Sequence, residues 1–293
     1  MKLLSFHTTD GVRLGVRTDD GVVDVHRAAE AVGVPAPTSM REVAAGGAAA
    51  RGVLEELAAQ DAVEPMSESG IRFAPAVPDP DKIICVGANY LKHANEAGIP
   101  IPEVPIYFPK YENSLSAHRD EVALPNLTQK GDYEVELVAV IGRETRNVDQ
   151  STALDHVFGY ATGNDLSARE LQQRSSQWMY GKAIDGFAPL GPYVVTADEV
   201  PDPQALDLQC WVNGDLRQGS NTRDMIFSVA GLVADLSRIM TLKPGDLIYT
   251  GTPEGVALGM AEPKWLQAGD EVACEVQGLG RLVTYMVADK ESE

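Results

Sequence analysis

The sequence predicts an α+β fold, and three observations carry that expectation. Short alternating apolar stretches bounded by turn residues recur along the chain, few segments show helical spacing, and the two kinds do not interleave as β-α-β units. The N-terminal segments LLSFHT, VRLGVRT and GVVDVH read as short strands joined by Asp-Gly turns at 10–11 and 20–21. A helix follows from about Met40 to Gln60, weakened by AAGGAAA, because glycine loses more backbone entropy than alanine on entering a helix. Next, APAVPDPDK places prolines at 75, 78 and 80 and reads as a connection. The expected division is a small N-terminal domain, 1–75, and a main domain, 76–293.

Within the main domain, IICVG is a short buried strand, and NYLKHANEAG a short helix stopped at Gly98. PIYFPKYENSLSAHRDEVALP is Pro-punctuated loop and strand, DYEVELVAVIG a strongly apolar strand, and HVFGYATGND another strand. Ser167 and Glu170 have capping-box spacing, which predicts a helix starting near Ser167. In NTRDMIFSVAGLVADLSRIM, Met225, Ile226, Val229, Leu232, Val233, Leu236 and Ile239 mark an amphipathic helix. GDLIYTGTPEGV reads as a strand and Gly-rich loop, and DEVACEVQGLGRLVTYMV as a strand pair around a glycine turn.

Composition narrows the functional classes. At 293 residues, 44% hydrophobic and 23% charged, the chain has the make-up of a soluble globular protein. LVAVIG and similar runs are far too short to cross a bilayer, and MKLLSFHTTDGVRLG lacks the pattern of a secretory signal. Lys plus Arg total 24 against 43 Asp plus Glu, a formal charge of −19, with no basic run to attract nucleic acid or an anionic membrane. An anionic substrate would therefore need locally placed positive charge. Cys85, Cys210 and Cys274 show neither CxxC nor zinc-ligand spacing, and the expected compartment is a reducing cytoplasm.

The chemistry centres on DYEVELVAVIG. Side chains two apart on a strand share a face, so Glu134 and Glu136 project together while Val135, Leu137, Ala139 and Ile141 face a core. Two acids beside an apolar wall repel and lose solvation unless a cation lies between them, and hard oxygen ligands suit Mg²⁺, with Mn²⁺ or Ca²⁺ as alternatives. A lone E-x-E also fits a solvated strand face. Asp165, in GYATGND, could merely answer a helix dipole; with Glu134 and Glu136 it completes a three-carboxylate site with open positions. His93 and Glu96, spaced i,i+3, place a carboxylate beside an imidazole, as a general base requires, although a surface pair would look the same. Lys182, set among aromatic and glycine residues, could carry a depressed pKa, stabilise an oxyanion or form a Schiff base. Thr252, in YTGTPEGV, could hold a carboxylate with its hydroxyl and neighbouring amides. No P-loop, Rossmann, G-x-S-x-G or H-E-x-x-H signature is present.

From about Lys82 to Val287 these strings, in this order, resemble the fumarylacetoacetate hydrolase family. The anchors are CVGANYLKHANEAG, PIYFPKYENSLSAH, DYEVELVAVIGR, GYATGNDLSARELQ, YGKAIDGFAPLGP, NGDLRQGSNTRDMIF and PGDLIYTGTPEGV. The resemblance implies a mixed β-sheet roll with a smaller N-terminal α/β domain, in a homodimer. It implies Glu134, Glu136 and Asp165 as metal ligands, a lid-borne His93–Glu96 dyad, an active-site Lys182, and substrate contacts at Phe108, Lys110, Gln172 and Thr252. Some members carry Arg where this chain has Ala88, a departure that bears on the substrate. The implied activity is metal-dependent hydrolysis of a C–C bond in a small anionic 1,3-diketo acid of acylpyruvate or fumarylpyruvate type, giving pyruvate and a carboxylic acid. Decarboxylation of oxaloacetate and isomerisation of an oxo-dienoate from aromatic catabolism are the alternatives on the same scaffold.

Overall fold

Valine, isoleucine and leucine crowd residues 135–141, and such side chains suit a strand covered on both faces. In a computed structural model all seven of these residues are buried. Leu137, Ala139 and Ile141 enter one apolar core, while Val138 and Val140 enter another. The strand is thus a partition between two cores, and each buried Val, Leu or Ile contributes about 1.5–3 kcal/mol. The structure describes residues 1–60 and 62–289; Asp61 and residues 290–293, inside the two expected domains, lie outside it.

The chain opens with β1 (Lys2–Thr8), β2 (Gly11–Thr18) and β3 (Gly21–Asp24), then helices α1 (Val25–Val32) and α2 (Met40–Ala59). β4 (Ile83–Gly87) leads to the short helix α3 (Leu91–Glu96), then β5 (Ile106–Lys110), β6 (Leu115–Ser116) and β7 (Glu121–Leu124). The central part holds β8 (Gly131–Asp132), β9 (Val135–Ile141), β10 (Val157–Asn164) and β11 (Ser167–Ala168). One-turn helices α4 (Arg169–Gln172) and α5 (Met179–Lys182) precede β12 (Ala188–Pro189) and β13 (Val194–Thr196). The remainder is β14 (Asp207–Val212), β15 (Asp215–Asn221), α6 (Val229–Ile239), β16 (Leu247–Tyr249), β17 (Glu271–Val276) and β18 (Gly280–Ala288).

Nine strands form a mixed sheet in the order β3-β2-β1-β13-β10-β9-β16-β4-β5, and five more form a second sheet, β15-β14-β17-β18-β7. The second sheet and α6 share a core with one face of β9 and β10; α1 and α2 cover the other face. The α+β roll is therefore three-layered around β9. The first 75 residues do not form a sheet apart, because β1 pairs antiparallel with β13 (Lys2↔Val195, Leu3↔Val194) and β13 pairs with β10. A domain boundary at 75/76, retained as a proposal, thus falls between strands of one sheet.

Local expectations fare unevenly. α2 spans the expected stretch, but Gly47 leaves the helical region (φ 55°, ψ −133°) and kinks it within AAGGAAA. Helix α1 escapes pattern reading because it is short and follows β3 directly; Asp24 caps it by accepting from the His26 and Arg27 amides. The capping box at Ser167 does not form. The Ser167 hydroxyl donates to the Asp165 carbonyl, Glu170 accepts from Thr128 and the Gln129 amide, and the helix begins only at Arg169. The amphipathic helix starts at Val229, capped by Ser228, so Met225 and Ile226 lie outside it.

Gly163 shows how tightly β10 meets its neighbours. It pairs with Glu136, and a Cβ there would lie 2.5 Å from Val138 Cγ2 and 2.7 Å from the Tyr249 ring. Gly163→Ala is therefore expected to destabilise the fold by about 1–3 kcal/mol through overpacking. The change would be read as a lower urea midpoint with unchanged slope.

Candidate active site

Strand register assembles the carboxylates. Val135 of β9 sits opposite Asn164 of β10, and Glu136 sits opposite Gly163. The Glu134 amide donates to the Asn164 side chain and the Asp165 amide to the Glu134 carbonyl, each at 2.9 Å. These bonds fix both residues just beyond the strand ends. One oxygen from each of Glu134, Glu136 and Asp165 lies within 4.8 Å of the others, and all three side chains are buried.

Buried carboxylates need counter-charge. Lys182 Nζ is 2.6 Å from Glu134 Oε2 and 2.8 Å from Asp165 Oδ2. Lys110 Nζ lies 2.5 Å from Asp165 Oδ1. Arg169 reaches Glu134 Oε1 at 2.5 Å and Asp132 Oδ2 at 2.8 Å. Glu136 differs: it accepts the Gly251 amide at 2.8 Å, and no cation pairs with it among the described residues. Four buried carboxylates (Asp132, Glu134, Glu136, Asp165) thus face three buried cations (Lys110, Arg169, Lys182). The hard oxygen set and the uncompensated Glu136 both fit a divalent cation, which Glu134, Glu136 and Asp165 could hold.

The titration tendencies follow this imbalance. Burial, reinforced by Asp165 and Glu134, pushes the Glu136 carboxyl well above its ordinary range. Burial acts in the same direction on Glu134, but Arg169 and Lys182 outweigh it and hold that carboxyl below the usual range. For Lys182, burial favours the neutral amine, yet Asp165 and Glu134 prevail and the pKa is raised. The ion pairs of Lys182 thus favour its charged form over the depressed pKa that its aromatic and glycine neighbours in sequence allow. At Lys110 burial prevails over Asp165 beside it, and the pKa is lowered.

The other expected residues divide. His93, Glu134, Glu136, Asp165, Gln172 and Lys182 border one small cavity of about 30 Å³, room for roughly a single water. Thr252 borders it too, but its hydroxyl donates to the Val135 carbonyl at 3.0 Å and accepts from Gln218 at 2.9 Å, so both functions are occupied. Phe108 forms an apolar wall, edge-on to Trp178 with ring centroids 5.4 Å apart. Lys110 is not on the cavity wall: its ammonium sits behind Asp165 and donates to the Leu166 and Phe187 carbonyls. His93 Nδ1 is 3.7 Å from Glu96 Oε2 and has no hydrogen-bond partner. Glu96 instead accepts the Gly255 amide, at 3.0 and 3.1 Å. The two residues are neighbours without being bonded. Ala88, on the same wall, holds a left-handed φ of 52°, a conformation that costs a non-glycine residue about 1–2 kcal/mol.

Sequence reasoning missed Arg169, Asp132 and Trp178. Two of them carried a signal. Asp132 continues the alternation of Glu134 and Glu136, and Arg169 stands i,i+3 from Gln172, whose side-chain oxygen it reaches at 3.1 Å. Trp178 carried none, because only the fold brings it against Gly87 and Phe108.

A mixed-sheet α+β roll with a buried three-carboxylate cluster defines an enzyme-like scaffold of the oxygen-ligand, divalent-cation kind. The pattern of the family described as fumarylacetoacetate (FAA) hydrolase C-terminal matches residues 82–287, and the chain belongs to that family. It is 40% identical over 294 residues to the mitochondrial oxaloacetate tautomerase FAHD2A of Homo sapiens, covering 98% of this chain and 92% of that protein. A fumarylacetoacetate hydrolase from Exiguobacterium antarcticum superposes with a TM-score of 0.85 at 35% identity, covering 99% of this chain and all of that one. Maleylpyruvate hydrolase from Sphingobium sp. SYK-6, solved with manganese(II) and pyruvate, superposes at 0.81 with 33% identity, covering 99% of this chain and all of that one. No helix among the described residues is long and apolar enough to cross a membrane.

The raised Glu136 sets a pH test. A carboxyl whose folded pKa is raised lends stability that is complete below its unfolded pKa and is lost as pH rises through the folded value. Cation-free protein should therefore lose thermal stability as pH climbs above the ordinary carboxyl range, and Glu136→Gln should flatten that decline. Mg²⁺ binding should release a proton and tighten with pH, as calorimetry in buffers of different ionisation heat would show. Binding without proton release would contradict the assignment.

Proposed function

We propose that this chain is a divalent-cation-dependent enzyme that moves a proton at C3 of a small 2-oxo acid, interconverting the keto and enol forms of oxaloacetate or a close dicarboxylic relative. The observation that carries this reading is the convergence, on one cavity, of the carboxylate cluster, the Lys182 ammonium and His93, whose buried Nδ1 has no hydrogen-bond partner. The full-length likeness to oxaloacetate tautomerases favours tautomerisation over other enol chemistry. A cation held by Glu134, Glu136 and Asp165, with Mg²⁺ or Mn²⁺ the fitting ions, would supply positive charge opposite the enolate oxygen. Towards the enol, His93 accepts the C3 proton and Lys182, charged between Glu134 and Asp165, delivers one to the C2 oxygen; the reverse direction runs both transfers backwards, and solvent resets the two groups. Phe108 and Trp178 close the cavity with apolar surface that excludes bulk water. A cavity of about 30 Å³ does not admit a four-carbon acid, so α3 or Trp178 must move for the substrate to enter. A homodimer is part of this reading.

Hydrolytic cleavage of an acylpyruvate is the second reading. Glu96 favours it: 3.7 Å from His93, it could orient the imidazole to activate water. The likeness to maleylpyruvate hydrolase points the same way.

The deciding experiment follows the ultraviolet absorbance of enol-oxaloacetate and, separately, pyruvate release from acetylpyruvate and from oxaloacetate, each with Mg²⁺ and with EDTA. Enol decay without pyruvate establishes the tautomerase. Pyruvate plus acetate from acetylpyruvate establishes the hydrolase, and pyruvate from oxaloacetate a decarboxylase. His93→Ala should slow the cation-dependent reaction by about 10²–10⁴-fold. Lys182→Met should do so comparably, and full activity in either variant would remove that residue from the mechanism.

A further inference from the structure

The loop that follows β16 touches both the candidate lid and the carboxylate cluster. Its Gly255 amide reaches both oxygens of Glu96, at 3.1 and 3.0 Å. At Gly259 a Cβ would stand 2.1 Å from Glu96 Cγ and 2.2 Å from Cδ, so the Glu96 side chain fills the space that any larger residue there would need. Between these glycines the Ala257 and Leu258 amides donate to Asp132, at 2.8 and 3.1 Å. Asp132, fully buried, also accepts from Arg169 Nε at 2.8 Å, and Arg169 Nη2 reaches Glu134 Oε1 at 2.5 Å. A continuous run of polar contacts therefore leads from the Glu134 carboxylate through Arg169 and Asp132 to the loop that seats Glu96.

We propose that Asp132 is a positioning residue that couples cation occupancy of the Glu134, Glu136 and Asp165 cluster to closure of helix α3, with the notch at Gly255 and Gly259 as the seat in which Glu96 is held. The inference rests on Glu134 being a cation ligand. A cation drawing on Glu134 fixes Arg169, Arg169 fixes Asp132, and Asp132 holds residues 257–258 where the notch fits Glu96. The linkage is reciprocal: if the cation favours the seated lid, seating the lid tightens the cation by the same factor.

The test uses the full chain and two readouts besides activity, calorimetric Mg²⁺ affinity and native-state hydrogen exchange at the Ala94 and Ala97 amides. Both amides are bonded within the turn of α3, to the Tyr90 and His93 carbonyls. In the wild type, Mg²⁺ should slow exchange at both. Gly259→Ala, which blocks the seat at a partly exposed position, should abolish that slowing and weaken Mg²⁺ by the same factor, about 5- to 150-fold. On a Glu96→Ala background Gly259→Ala should change neither readout further, because the side chain it displaces is gone. Asp132→Asn should retain a folded α3 but uncouple its exchange from Mg²⁺; Arg169→Lys, which breaks the bridge between Asp132 and Glu134, should uncouple it in the same way and decides the role of Asp132 if Asp132→Asn fails to fold. Mg²⁺ binding that leaves exchange in α3 unchanged, or unequal factors in the two readouts, would overturn the coupling while leaving the cation site intact. Absence of Mg²⁺ binding altogether would overturn the site and the coupling with it.

Discussion

The constraint on which this molecule turns is unbalanced charge in a dry interior. Carboxylates at the ends of β9 and β10 are held out of water by two apolar cores, where an unanswered charge costs far more than at a surface. Lys110, Lys182 and Arg169 answer three of them, and the strand register and the Asn164 amide bond leave little freedom for the groups to move apart. Glu136 stands out as the group for which the polypeptide supplies an N–H dipole in place of a cation. Surplus anion at a fixed position is what a site for a doubly charged ion requires.

Much of the architecture serves to hold that position still. β9 is buried on both faces and paired on both edges, by β10 and β16. Its neighbours reach it through Gly163 and Gly251, the one admitting Val138 and Tyr249 and the other offering its amide to Glu136. Rigid strands carry the ligands, while the dyad sits on a helix of six residues whose contacts to the loop after β16 are few and polar. That division places the tightest restraint at the carboxylates and a lighter one on α3.

How far this could be read from the chain depends on how local each feature is. The face shared by Glu134 and Glu136 follows from strand alternation, and β9 declares itself by composition alone. Asp165 and Lys182 needed the order of several motifs, since each has an ordinary explanation when taken singly. The tertiary facts lay beyond pattern reading. The resemblance groups Lys110 with Phe108 as a substrate contact, yet strand alternation cannot say that its ammonium ends behind Asp165. The raised pKa of Lys182 needs the positions of both carboxylates, and the failed capping box at Ser167 reflects competition from Thr128 and Gln129 for Glu170. The continuity of β1 with β13 was hidden by the proline-rich connection, which resembles a linker in sequence although the strands before it are built into the common sheet.

The order of the nine-stranded sheet bears on how such a protein is made. Around β9 and β10 lie β13, β16, β4 and β1, drawn from segments separated by up to most of the chain, and β16 is the strand that joins β9 to β4. On a ribosome the acidic ends of β9 and β10 emerge long before β16 and the loop carrying Gly251 and Gly255. A nascent chain of that length exposes one edge of an apolar strand beside repelling carboxylates, with neither the pairing nor the amides that later relieve them. Such non-local pairing folds slowly and leaves sticky intermediates. The interval between the emergence of β10 and that of β16 is therefore the one in which this edge lies unpaired and most prone to misassociation.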